Sequence, residues 1–402
     1  MKKQFTRRQV RTAFILLSLA GFVLWAVLLL LDPEGRQRAV FFADQNDYFM
    51  DFYNTVYYAA GRTPYTWGWL PARNYLPLAY LIVWPFSLLY PSSLNGEELR
   101  YAARGYQLPA IAGAFFLVFS FLFAFWFIYR MTEGRNREKA GILLSLLLSA
   151  VSLFNFDRAN QIILVAGLVT AYLLLLDSPK ALYRHIGLLC LAAAAVLKLF
   201  PAFFGVLLLF RKRWKDVLWL ALYTFLLAFL PFFWLEGGLA ENLRGYWNAL
   251  QAHAKEYEGG YYGLSAQTIL FKLPVPDAVS YAVAVGAAFL SFWLKKRWKQ
   301  FLLITLAVLL ASNQQSYYTF IFLFIPVVLF LNEETHSLWD LLYLAGFLLI
   351  LTPVQYCTNF HRLLLSNPEV TNTIALLMYF ALILEALIPL LCRIRPAGKK
   401  SA

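Results

Sequence analysis

Apolar residues run along this chain in blocks, separated by short stretches that are polar, basic or proline-containing. A helix needs roughly 17 to 25 apolar residues to cross a bilayer core, and a helix broken inside the protein can be shorter. On that measure the pattern predicts about twelve membrane segments and an all-α, polytopic membrane protein. The clearest are residues 12–31, 110–129, 140–156, 160–176, 217–235, 278–294, 317–331, 338–354 and 373–391, with 301–311 a shorter one. Residues 185–210 exceed one span and are interrupted by "LKLFP", which predicts two half-length passes meeting at 198–201. Residues 75–91, "YLPLAYLIVWPFSLLYP", are apolar enough to span. Their prolines Pro77, Pro85 and Pro91 favour a re-entrant or interfacial piece instead.

Composition agrees with a lipid solvent. Of 402 residues 61% are hydrophobic and 14% charged, more apolar surface than a soluble domain hides from water. Cys190, Cys357 and Cys392 lack paired or metal-ligand spacing, so neither a disulfide framework nor a zinc site is indicated.

Charge then sets orientation. Six basic stretches, among them "MKKQFTRRQVR", "RMTEGRNREK", "RKRWK" and "KKRWK", hold 23 of the 35 lysines and arginines. All fall on one side if both termini are cytoplasmic, as the excess of basic residues in cytoplasmic loops requires. The net charge of +13 is therefore a topology signal and not a sign of nucleic-acid binding. The first segment has a basic flank, a long apolar run and no A-x-A-like cleavage site after it, which predicts an uncleaved signal anchor. The expectation is a single membrane domain over 1–402, in a bacterial plasma membrane, with extracytoplasmic loops at 32–109 and 236–277.

The first of these loops contains "FFADQNDYFMDFYNTVYYAAGRTPY", in which Asp44, Asp47 and Asp51 stand among nine aromatic residues. There is no G-x-x-x-x-G-K-[ST] phosphate loop and no H-E-x-x-H, and the four histidines lie in separate loops. Acids, amides and basic residues at the outer membrane boundary remain, where a half-buried charge is costly and points to a partner. Carboxylate general bases work in such settings.

Four stretches carry a family resemblance: "DFYNTVYYAAGRTPY", "NYLPLAYLIVWPFSLLYP", "FNFDRANQIILVAGLV" and "GLLCLAAAAVLKLFPAFFGVLLLFRKRWKD". In this order, over the first half of the chain, the pattern resembles glycosyltransferase family 87 of the GT-C superfamily. Two departures stand out. The usual Y-P-P reads Tyr75-Leu76-Pro77, and "SNQQSYY" replaces a histidine-containing stretch of some members.

The resemblance implies a GT-C-like helical core and a hexosyl- or pentosyltransferase, mannosyltransferase-like. It would use a polyprenyl-phosphate sugar donor and a lipid or glycan acceptor; no cofactor is expected and no metal-site residues are assigned. It also places the base at the D-F-x-x-x-x-Y-Y position, Asp51. Asp47, four residues earlier, would share a face with Asp51 if this part is helical, one acting as base and the other orienting it. The alternative for each acid is a helix cap or a wet loop charge.

Displacement of a lipid phosphate also needs cations and amides on the leaving group. Lys198 interrupts an apolar stretch, so its charge either snorkels to the boundary or meets an anion such as that phosphate. Arg158 is either locked to neighbouring Asp157 or turned to the phosphate. Asn160 and Gln161 open the next predicted helix and can donate to phosphate or sugar. Gln267 in "GLSAQTIL" and Asn313 and Gln314 in "SNQQSYY" are amides on the same face. Tyr53, Tyr57, Tyr58 and Tyr65 suit stacking on a pyranose, or an interfacial aromatic belt. A transporter or lipid flippase is the alternative; it would place polar groups near the bilayer midplane and repeat its halves. Asp340 and Glu385 are the acids within the later segments, and no internal repeat is visible.

Overall fold

The computed structural model describes residues 4–33, 35–38, 41–42, 46–66, 70–91, 101–256, 277–311, 316–355 and 367–394. Apart from one two-stranded antiparallel pair, β1 (Gln4–Thr6) with β2 (Thr335–Ser337), it is all-α. The chain divides into two compact units. One comprises Met1–Leu28, Thr132–Ala150 and Tyr262–Ala402, and the other Leu29–Met131 and Val151–Tyr261.

The second unit carries the candidate chemistry. Its helices are α2 (Met50–Ala59), α3 (Pro77–Ser87), α4 (Gln107–Met131), α6 (Ala150–Arg158), α7 (Ile162–Leu175), α8 (Ala181–Leu197), α9 (Val206–Phe210), α10 (Trp214–Phe229) and α11 (Leu239–Glu256). The central helix is α7, apolar on every side and buried along most of its length, as a helix surrounded by other helices must be. It packs on α4 and α8. Gly167 permits the close approach to α4: a Cβ there would lie 2.9 Å from the Cα of Ala124. In contrast, α10 buries no residue, and its exposed Leu218, Leu222 and Phe225 suit contact with lipid.

The other unit holds α1 (Arg7–Leu31), α5 (Asn136–Leu147), α12 (Asp277–Leu290), α13 (Arg297–Ala311), α14 (Phe324–Asn332), α15 (Leu338–Leu351) and α16 (Asn367–Ile394). Every residue from Phe301 to Leu310 is buried, which makes α13 the core of this unit. Arg11 on α1 is buried and satisfied, donating from Nε to Leu331 O at 2.8 Å and from Nη1 to Glu138 at 2.9 Å. Asp340 and Glu385 are also neutralised. Lys296 Nζ lies 2.6 Å from Asp340, while Lys299 Nζ reaches Asp340 at 3.5 Å and Glu385 at 2.7 Å.

Several expected segments take a different form. Among the described residues four helices are long and apolar enough to cross a membrane alone: Arg7–Leu31, Gln107–Met131, Trp214–Trp234 and Val370–Pro389. The count reaches five if Asn136–Leu147 with Ala150–Arg158 is one broken span. The remaining segments appear as helices of 10–17 residues. At 1.5 Å per residue these rise about 15 to 26 Å, less than the roughly 30 Å of a bilayer core. The expected segment 140–156 is two helices, because Leu148 leaves the helical region and the Ser149 hydroxyl turns back to donate to Leu146 O. Residues 185–210 break where expected. Lys198 is extended, and a 3₁₀ turn, Phe200–Gly205, leads into α9. The Tyr75–Pro91 stretch forms α3, whose 11 residues fall short of a span.

Candidate active site

Asp51 lies in the first turn of α2, two residues after Phe49. Phe49 is left-handed at φ 56°, a conformation costly for a bulky residue, so the helix cannot extend back through it and starts at Met50. Asp47 is therefore not on the helix, and the expectation that it shares a helical face with Asp51 fails on backbone conformation. The Phe49 N–H donates to Asp157 O at 2.7 Å, which pins the start of α2 to the end of α6.

A second left-handed residue, Ala159 at φ 47°, sits between Arg158 and Asn160. The turn it makes delivers both neighbours to Asp51. Arg158 Nη2 donates to Asp51 Oδ1 at 2.8 Å, and Asn160 Nδ2 donates to Oδ2 at 2.7 Å. Asn160 accepts the Ile162 N–H at 2.9 Å through its own oxygen, closing an Asx-type turn just ahead of α7 while it orients Asp51. The Asp51 and Arg158 side chains are 16% and 27% exposed, enclosed yet reachable. Two non-glycine residues held left-handed beside one carboxylate is strain of the kind that gathers at functional sites.

Arg158 thus reaches past its sequence neighbour Asp157. Adjacent residues on a helix point about 100° apart and do not face each other, so the expected local lock is disfavoured by geometry. Asp157 makes no salt bridge to Arg158 but feels its charge, and it also lies within electrostatic range of Asp51 and Asp47 with the Phe42 backbone N–H close to its carboxyl. In the sequence Asp157 stands out only as the neighbour of Arg158.

The other candidates fall into separate groups. Asp47 is ion-paired with Arg104 at 2.6 Å, and Arg104 also donates to Tyr48 O and covers the Tyr53 ring at 4.6 Å. No sequence signal marked Arg104. Lys198 Nζ donates to the Tyr75 hydroxyl at 2.9 Å and stands 4.3 Å from that ring's centroid. The Tyr65 hydroxyl donates to Tyr75 O at 2.6 Å, so Tyr75, singled out only as part of a motif, joins Lys198 to the first loop. Gln161 is committed to α3, donating to Ala79 O at 2.8 Å. Tyr57, Tyr58 and Tyr65 are buried, and Arg73 covers the face of Tyr58 at 4.5 Å. Burial holds the Tyr65 phenol well above the ordinary tyrosine value and pushes Tyr53 up to about 12, which keeps both hydroxyls as neutral donors. Asp44, Gln267, Asn313 and Gln314 lie outside the described residues.

Among the described residues no group of three His, Cys, Asp or Glu side chains is arranged to hold a metal ion. What the arrangement offers is a carboxylate held by one cation and one amide, while Lys198, just past the end of α8, is a separate cation held by Tyr75. That set suits proton abstraction beside an anionic leaving group. The family model of glycosyltransferase family 87 matches residues 74–326, which includes Tyr75, Arg158, Asn160, Gln161 and Lys198 and begins after Asp51. No curated protein matches the chain.

Proposed function

The chain belongs to glycosyltransferase family 87, and from that premise we propose that it moves a sugar from a polyprenyl-phosphate donor to a hydroxyl of a lipid or glycan acceptor, with Asp51 as general base. The observation that carries this reading is the clasp of Arg158 and Asn160 on the Asp51 carboxylate. As the acceptor oxygen attacks the anomeric carbon, its proton passes to Asp51. The bond from the anomeric carbon to the phosphate oxygen breaks, and the lipid phosphate leaves with the electron pair. In the resting enzyme Arg158 and Asp51 neutralise each other. The donor phosphate competes for the same guanidinium, whose planar fork suits it, and an Arg158 drawn onto phosphate frees one oxygen of Asp51 for the incoming hydroxyl. Lys198, held by Tyr75, supplies the second cation for the phosphate.

Asn160 keeps its bond to Asp51 through this exchange and so acts as a positioning residue. We place the reaction on the extracytoplasmic face, with both termini cytoplasmic, from the distribution of basic loops. The transporter or flippase alternative draws no support from Asp340 and Glu385, because Lys299 closes both. The deciding experiment incubates the purified protein with polyprenyl-phosphate mannose, glucose or arabinose and follows label into acceptor lipid. Transfer from one donor and its loss in Asp51→Asn is the expected result; movement of donor lipid across a vesicle bilayer without transfer would replace this reading with the transporter.

A further inference from the structure

Two tight turns lie side by side in the second unit, away from Asp51. One joins α7 to α8 through Asp177 and Ser178, and the other joins α9 to α10 through Arg211, Lys212 and Arg213. Arg213 ties them together, donating to Leu176 O at 2.6 Å. The cleft between them has a volume of about 720 Å³, in the range of ligand sites. Four basic side chains line it, Arg184, Lys212, Arg213 and Lys215, against Asp177 and Asp216.

The two acids are already taken. Arg211 pairs with Asp177, and Arg213 pairs with Asp216 while standing 3.8 Å from Asp177. Arg184 is anchored by bonds to Ser178 O and Pro179 O. The surplus positive charge is that of Arg184, Lys212 and Lys215, and the two lysines are exposed. Lys212 is held left-handed at φ 53°.

The surroundings of this charge are apolar. Trp214, at the rim, is 61% exposed, and below it the uncovered face of α10 continues through Leu218, Leu222 and Phe225. An ammonium pair at the head of an open apolar stripe, with an amphipathic indole between them, matches a molecule with an anionic head and hydrocarbon tails. Basic pockets between helices on the cytoplasmic side bind anionic head groups for this reason. We propose that this cleft binds the phosphate of an anionic phospholipid of the inner leaflet, with Lys212 and Lys215 on the phosphate and the α10 stripe against the acyl chains. The site rests on the cytoplasmic assignment of the basic loops and is independent of the transferase reading, so lipid binding is measured without turnover.

The test titrates the purified full chain in neutral detergent with phosphatidylglycerol, phosphatidylcholine or inorganic phosphate and follows the thermal unfolding midpoint. Phosphatidylglycerol should raise the midpoint saturably, and the other two should not. In Lys212→Ala/Lys215→Ala the apparent affinity should fall on the order of tenfold, since each basic residue near an anionic surface contributes severalfold. Lys212→Arg/Lys215→Arg should keep it, which shows that the turn still folds. Equal shifts with phosphatidylcholine, wild-type affinity in the alanine pair, or a shift reproduced by inorganic phosphate alone would each overturn the lipid assignment.

Discussion

The side-chain amide of Asn160 meets the carboxylate of Asp51 at 2.7 Å across 109 residues of sequence. Its oxygen is committed at the same time to the Ile162 N–H, so the amide cannot flip without losing both bonds. One oxygen of Asp51 is thereby fixed in place by the start of a buried helix, and the other is left to Arg158, a partner that a phosphate can draw away.

Asp51→Asn keeps the size of the side chain and removes its ability to take the acceptor proton. Sugar transfer should fall about 10²- to 10⁴-fold, with expression close to wild type and donor binding undiminished, since Arg158 is released to the phosphate. Initial rates with labelled donor, beside an equilibrium binding measurement, separate the two effects. Most of the activity surviving in Asp51→Asn would move the base elsewhere.

Asp47→Asn should act on stability and leave chemistry largely intact. The change leaves Arg104, 6% exposed, without its carboxylate. Losing one partner of a buried pair costs about 3 kcal/mol, and less where that partner is itself partly exposed, as Asp47 is at 20%. A lower unfolding midpoint with a preserved rate per folded molecule is expected; a rate loss as deep as that of Asp51→Asn at unchanged stability contradicts the pairing with Arg104.

Asn160→Ala removes a hydrogen bond to a charged group and the turn bond to the Ile162 N–H. Such a bond is worth about 1.5 to 3 kcal/mol, so turnover should drop about 10- to 100-fold while donor affinity changes little. A loss confined to donor affinity would instead make Asn160 a phosphate ligand.

Gly167→Ala sets a methyl group 2.9 Å from the Cα of Ala124 and 2.6 Å from the Phe123 ring. The ring can turn, but the backbone cannot. Overpacking of this kind costs about 1 to 3 kcal/mol, read as a lower unfolding midpoint of the purified protein. Unchanged stability would mean that α4 and α7 have room to separate.

Orientation is checked in a cysteine-free background. A single cysteine near Asp51 should react with an impermeant thiol reagent added outside intact cells, and one near Arg213 should not. Labelling of both from the same side would overturn the placement of the basic loops, and with it the leaflet assigned to the cleft at Lys212.

The hydrophobic blocks and the basic stretches by themselves determined an all-α membrane protein, and the break at Lys198 was visible because proline and a charge interrupt an apolar run. Helix ends were not. Apolar content fixes what prefers lipid, while the end of a helix is set by local backbone geometry, such as Phe49 in the left-handed region or the Ser149 hydroxyl turned onto Leu146 O. The sequence also marked Asp51, Arg158 and Asn160 one by one, but left Arg158 between Asp157 and a ligand. The partner of a charge depends on where its side chain points. Along α6 neighbouring side chains diverge, and the left-handed turn at Ala159 aims Arg158 and Asn160 together at a residue more than a hundred positions earlier. Arg104 on Asp47 and Tyr75 beneath Lys198 belong to the same class of fact: contacts that exist only once distant segments are packed, with no trace in local spacing.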